Sequence, residues 1–234
     1  GNSPLTIALE RMNDGSNKAL LEMLVTSKNI NTRDSNGNTP LHIATTRKAS
    51  MECLEYLMNC GADLDTRNSA GDTILHEVVR QDNRPAGEIL IARGSNIYAT
   101  NAEGYSPLRI ALEKRGNTRE WFCSPQVILF SSDTDGNTPL HYAAEWKYND
   151  SVIFLLDKKA EINKRNNYGE TPLYSAIKAN SPDTLKLLIA YDAEYIIKDL
   201  QGNTPLHYCI NKNAIECAMK SKAGMVFLTK ALSS

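Results

Sequence analysis

Apolar residues fall along the chain in short clusters with helical spacing, parted at regular intervals by stretches rich in Gly, Asn and Asp. Cys53-Leu54-Glu55-Tyr56-Leu57-Met58 and Thr184-Leu185-Lys186-Leu187-Leu188-Ile189 place apolar side chains three and four apart, which makes one helix face apolar. A shorter apolar cluster precedes each of these, opened by Thr-Pro-Leu or Ser-Pro-Leu. The hydroxyl suits a helix N-cap, and proline at the first helical position costs no hydrogen bond. The pattern therefore predicts helix pairs. After each pair come segments such as Gly61-Ala62-Asp63-Leu64-Asp65, Gly94-Ser95-Asn96-Ile97-Tyr98 and Ala160-Glu161-Ile162-Asn163, which run into Asn, Asp and Gly turn residues. These predict extended arms with tight tips.

A glycine followed two residues later by Thr or Ser recurs at Gly1, Gly37, Gly71, Gly104, Gly136, Gly169 and Gly202, at spacings of 36, 34, 33, 32, 33 and 33. Seven occurrences at one period make the chain a repeat array, divided as 1–36, 37–70, 71–103, 104–135, 136–168, 169–201 and 202–234 within a single domain of 1–234. One unit of this size cannot bury both of its helices and has to stack on its neighbours. The core Gly-Asn-Thr-Pro-Leu-His at 37–42, 136–141 and 202–207, with the Gly61-Ala62-Asp63-Leu64-Asp65 arm, resembles the ankyrin repeat family over nearly the whole chain. The resemblance implies an all-α repeat solenoid of helix-turn-helix units, stacked in a curve, with β-hairpin arms at right angles forming one edge of a concave groove.

The departures carry information. Asn13-Asp14-Gly15-Ser16-Asn17 lengthens the turn of the first repeat, and the arm that would precede Gly1 is absent, which predicts a piece of a longer chain. The fourth repeat is irregular over 116–135: it has no Gly-Ala-Asp segment, and Pro125 cuts short the helix expected around Arg119-Glu120-Trp121-Phe122-Cys123. A small pocket at Trp121, Phe122 and Cys123 is a minor reading of that irregularity. Gly224 to Leu232 has no following arm, and reads either as a cap on the stack or, the favoured expectation, as a face that meets a further repeat downstream.

Composition narrows the function. With 41% hydrophobic residues and 26 Lys plus Arg against 27 Asp plus Glu, the chain has material for a core and no overall charge that would attract nucleic acid or an anionic membrane. The longest apolar runs, such as Val152 to Leu156, fall far short of the ~20 residues of a membrane span. The start lacks a secretory signal pattern. Five cysteines at 53, 60, 123, 209 and 217 contain no Cys-x-x-Cys pair, which predicts reduced thiols in the cytoplasm, the host's if the source is a pathogen. Asn149-Asp150-Ser151 is then an unused sequon.

Chemistry is sparse. His76-Glu77-Val78-Val79-Arg80 begins like a zinc-protease helix but has Arg80 where the second histidine belongs, and Asp133-Thr134-Asp135-Gly136 resembles the middle of a calcium loop whose twelfth position would be Tyr142 instead of a bidentate Glu. Phosphate-binding, dinucleotide and nucleophile-elbow motifs are absent. No catalytic residue, metal site or cofactor is expected, and the chain reads as a non-enzyme. His42, His76, His141 and His207 all follow the motif leucine, and the resemblance implies that each bonds the Thr hydroxyl and a neighbouring backbone carbonyl.

In ankyrin repeats the partner-facing positions lie at the arm tip, just after the glycine and at the end of the first helix. Here these are Ala102, Glu103, Tyr105, Glu113 and Lys114, then Thr134, Asp135, Asn137, Glu145 and Trp146, then Asn167, Tyr168, Glu170 and Lys178. Tyr105, Trp146 and Tyr168 put exposed aromatics in consecutive repeats, and aromatics dominate interface hot spots. Arg33, Arg67 and Arg165, four residues before their glycines, form a basic arm edge suited to an acidic partner. The sequence thus predicts a protein–protein interaction scaffold or adaptor, monomeric in isolation, that binds another protein on the concave arm and inner-helix surface of repeats four to six. Its alternative is the targeting or regulatory segment of a larger enzyme, channel or host-directed effector.

Overall fold

The computed structural model describes residues 4–10, 18–114, 116–123, 129 and 131–211. The chain divides into two compact units, Gly1–Phe122 and Cys123–Ser234. The first contains α1 (Pro4–Glu10), α2 (Lys18–Leu24), α3 (Pro40–Thr46), α4 (Met51–Asn59), α5 (Ile74–Arg80), α6 (Arg84–Ala92), α7 (Pro107–Glu113) and α8 (Asn117–Phe122). The second contains α9 (Pro139–Glu145), α10 (Asn149–Asp157), α11 (Pro172–Lys178), α12 (Pro182–Ala190) and α13 (Pro205–Asn211). Within each unit the inner helices pack in a row, α1, α3, α5 and α7 in one and α9, α11 and α13 in the other, with the outer helices behind them. The apolar end 224–232, the turn at 13–17 and Pro125 lie outside the described residues.

The inner helices start where the sequence places them through three devices, all of which coincide in α3 and α9. Proline opens α3, α7, α9 and α11, the motif leucines Leu41, Leu75, Leu108, Leu140 and Leu173 are at most 1% exposed, and a histidine closes the cap. His42, His76 and His141, at the third helical position, accept the Thr39, Thr73 and Thr138 backbone N–H at Nδ1 over 3.3, 3.0 and 3.0 Å. They fill the place that Glu takes in a capping box. Inner helices end on a left-handed residue, such as Lys48 or Asn180, with the next N–H returning to the helix, as from Ala49 to the Ala44 carbonyl at 2.9 Å.

The arms differ from the expected β-hairpins, for no strand occurs among the described residues. Each tip is a turn held by an Asp or Asn three residues before its glycine. The Oδ1 atoms of Asp34, Asn68, Asn101, Asp133, Asn166 and Asp199 each accept the backbone N–H two and four residues on, at 2.7 to 3.0 Å. Neighbouring tips share a single backbone bond, as from Ala102 N–H to the Ala70 carbonyl at 3.0 Å, and one bond per pair makes no ladder. Gly71 shows why the tip needs glycine: its φ is +76°, and a Cβ would lie 2.6 Å from the Ala102 nitrogen.

In the irregular repeat α8 has six residues where α4, α6, α10 and α12 have nine. Trp121, Phe122 and Cys123 are at most 4% exposed, and the Trp121 ring lies against Gly87. The indole N–H of Trp121 and the Thr118 hydroxyl both donate to Asp82 Oδ1, at 2.8 and 2.7 Å. The Trp121 hydrogen bond leads in holding the Asp82 carboxyl below its ordinary range.

Candidate functional site

The histidines carry the joints between repeats. The hydroxyls of Thr39, Thr73 and Thr138 lie 2.8 to 2.9 Å from Nδ1 of His42, His76 and His141. On the far side of each ring, Nε2 meets the carbonyl of Asp72 at 3.3 Å, Tyr105 at 2.9 Å and Glu170 at 3.1 Å, each in the following repeat. Nδ1 acts as acceptor and Nε2 carries the proton, so the neutral ring satisfies both contacts. Burial pushes all three imidazoles below their ordinary value of 6.5. These rings are thus committed to structure, and no group of three or more His, Cys, Asp or Glu suited to a metal ion occurs among the described residues.

The residues expected at a partner surface fall into two sets. In the first unit, the Tyr105 ring lies under the Arg109 guanidinium, 4.3 Å from its centroid. Lys114 donates to the Val79 and Arg80 carbonyls at 3.1 and 2.6 Å, closing the C-terminal end of α5, and Glu113 is exposed at the end of α7. Arg33 donates to the Arg67 carbonyl at 2.8 Å and Arg67 donates to the Thr100 carbonyl. In the second unit Arg165 repeats the device, reaching the Gly169 carbonyl at 3.1 Å and the Lys198 carbonyl at 3.0 Å. The arginines therefore tie each arm to the next through peptide oxygens.

The second unit brings Glu145, Tyr168 and Lys178 together around a groove of about 520 Å³. Asn137 and Glu145 come from the first of three consecutive repeats, Tyr168 and Glu170 from the arm between α10 and α11, Lys178 from the end of α11. Gln201 and Tyr208, which the sequence reading did not single out, supply the far wall. Tyr208 lies six residues after its glycine, one helical step from the expected position nine residues after it, and so faces the same way. Tyr142 holds that place one repeat pair earlier, and the two hydroxyls donate to Asp133 and Asp199 at 2.5 and 2.8 Å. The Asp199 hydrogen bond, with burial and the nearby carboxylates, pushes the Tyr208 phenol up to about 12.

Tyr168 is 48% exposed and gives its hydroxyl to Asp135 at 3.4 Å. Leu200, 68% exposed, is joined to Tyr168 by a backbone bond of 2.9 Å and extends the exposed apolar surface at the arm tips. Trp146 does not line this groove: its ring stacks on Tyr142 with centroids 4.8 Å apart, lying back over α9. Lys178 pairs with Glu170 and sits 5.2 Å from the Tyr208 ring centroid.

Rows of helix pairs joined by glycine-tipped arms define a repeat solenoid of the class that mediates contacts between proteins. The family model for ankyrin repeats in three copies matches residues 1–68, 75–166 and 159–219, and the chain belongs to the ankyrin repeat family. A putative ankyrin repeat protein of fowlpox virus is 41% identical over 75 residues, which cover 32% of this chain and 22% of that protein. The NF-kappa-B p105 subunit of Gallus gallus is 30% identical over 174 residues, 64% of this chain and 18% of the relative. The chain thus spans about a fifth of these relatives' length. Among solved structures, the ankyrin repeat domain of Bcl-3, a member of the IkappaB protein family, has the same fold with a TM-score of 0.62 at 22% identity, over 89% of this chain and 94% of that one.

Proposed function

We propose that this chain is a non-enzymatic protein-binding scaffold whose contact surface is the arm and inner-helix groove of the second unit. The observation that carries this reading is the convergence of Glu145, Tyr168 and Lys178 on one groove from separate elements. The volume is in the range of specific binding sites, and the walls stand on helices and braced arm tips, so little ordering is needed when a partner docks. The partner is another protein, bound without metal or cofactor. The free thiols of Cys53, Cys60 and Cys123 and the fowlpox relative support a cytoplasmic setting, in the virus's case that of the host. No helix among the described residues is long and apolar enough to cross a membrane.

The test is a quantitative pull-down from cell extract with the parent chain, a Glu145→Ala/Tyr168→Ala variant and an outer-helix control, Lys186→Ala. A protein held by the parent and the control, and lost by at least tenfold from the groove variant, is the expected result. Equal retention by all three would place the contact elsewhere. A second reading, a targeting or regulatory segment of a larger protein, is favoured by the fraction of its relatives that the chain spans. An appended catalytic or membrane domain in the full reading frame would then carry the activity, with the groove choosing its target.

A further inference from the structure

The groove of the second unit holds a carboxylate that the molecule leaves uncompensated. Glu145 and Glu170 line it with one ammonium, Lys178, and Lys178 is committed to Glu170. Glu145 is exposed and takes part in none of the hydrogen bonds or ion pairs among the described residues. Behind the wall stand Asp133 and Asp199, engaged by tyrosine hydroxyls, and Asp135 stands at the tip beside Tyr168. The raised Tyr208 phenol reports the same negative field, since the charges of Asp199 and Glu170 both oppose its ionisation.

The first unit shows a guanidinium held by a carboxylate at the same place in its repeat. Nine residues after Gly71 stands Arg80, and its guanidinium grips Asp72 with two bonds of 2.6 and 2.9 Å. The same position is Lys178 after Gly169 and Glu145 after Gly136. Two repeats therefore place a cation there, while those beginning at Gly104 and Gly136 place Glu113 and Glu145, and Glu145 shares its groove with the exposed Tyr168. Arg109 over Tyr105 shows a guanidinium resting on a tyrosine face in the same molecule.

We infer that the groove takes an arginine side chain from an extended segment of a partner protein, its guanidinium paired with Glu145 and laid against the Tyr168 ring. This inference rests on the groove being the contact surface. Arginine fits better than lysine because its planar fork binds a carboxylate through two parallel bonds and stacks on an aromatic face, whereas an ammonium is a hydrated point charge. Removal of Lys178 frees Glu170 and adds a second carboxylate, so it should tighten the same binding.

A random 12-residue phage-displayed library is panned against the 234-residue chain, and the enriched peptides are made with a fluorophore and titrated into the parent, Glu145→Gln, Tyr168→Ala and Lys178→Met. Circular dichroism melts confirm that each variant is folded. Peptides sharing an arginine, weakened tenfold or more by Glu145→Gln and by arginine-to-lysine exchange, and tightened by Lys178→Met, are the expected result. Peptides without a basic residue that still lose binding in Tyr168→Ala would overturn the arginine while leaving the groove as the docking surface. Enriched peptides that bind all four proteins equally would overturn the inference together with the groove reading. Failure to enrich any peptide would overturn the claim that an extended segment is the occupant.

Discussion

Thr73 gives its hydroxyl to a ring nitrogen of His76 at 2.9 Å, whereas Thr171, at the same place in its repeat and just as fully buried, has no hydrogen-bond partner for its Oγ1. The cause is three residues on, where Tyr174 stands instead of histidine. The Tyr174 hydroxyl passes over the threonine and reaches the Ile197 and Asn203 carbonyls, each at 2.6 Å. It keeps the link to the next repeat and abandons the link within its own. Valine has nearly the shape of threonine, so the two sites give opposite outcomes. Thr73→Val removes one of the two hydrogen bonds to the ring nitrogen, leaving that from the backbone N–H, and should cost about 0.5–1.5 kcal/mol, while Thr171→Val removes an unpaired buried hydroxyl and should be neutral or stabilise by up to ~1 kcal/mol. Urea midpoints of the two variants check this.

Among the helices, Gly87 lies inside α6 with Val78 and the Trp121 ring against it. An exposed helical glycine would gain ~1 kcal/mol on replacement by alanine. Here a Cβ would stand 2.3 to 2.4 Å from the Trp121 ring, so Gly87→Ala should instead destabilise by about 1–3 kcal/mol, read as a lower thermal midpoint. The end of α10 gives the opposite sign. Lys159 holds φ of +71° where Gly61 and Gly94 close the outer helices of the first unit, and Lys159→Gly should raise stability by up to ~1 kcal/mol in the same melts. Both positions separate what was legible in the sequence from what was not. Helix starts were legible because proline, threonine and leucine act on neighbouring residues. The Trp121 contact with Gly87 was not, because it joins positions 34 residues apart and the shortened α8 gave no pattern to read. Arg33, Arg67 and Arg165 were legible as a repeated basic edge, but their reach to a carbonyl 33 or 34 residues onward depends on how the arms stack. Asn137, Glu145, Tyr168, Glu170 and Lys178 were legible from the family pattern, whereas Tyr208 stands six residues after its glycine, outside the positions that pattern marks.

For the molecule as a whole, the joints built on histidine make stability depend on pH. In the folded chain His42, His76 and His141 have pKa values below 6.5, whereas in the unfolded chain they return to that value. Below pH 6.5 the unfolded state therefore binds protons that the native state does not, and stability falls on acidification. The stabilisation is complete above about pH 6.5, declines as pH drops, and levels off below the folded pKa values, each histidine adding at most ~1.4 kcal/mol per pH unit. Thermal midpoints should fall between pH 7.5 and 5.5, before the carboxylates titrate, and a flat profile there would remove the histidines from the account. His76→Gln, which cannot titrate, should shallow the slope.

Tyr174 has no nitrogen to protonate, and burial with the Asp199 charge holds its phenol well above the ordinary range. Acid consequently works on the joints at Asp72, Tyr105 and Glu170 and spares the one at Asn203. At pH 5.5 the amides beside Asp72, Tyr105 and Glu170 should lose protection from hydrogen–deuterium exchange relative to pH 7.5, while those beside Asn203 keep theirs. A partner seated against Gln201 and Tyr208 would therefore rest on the joint that acid leaves intact while its neighbours loosen.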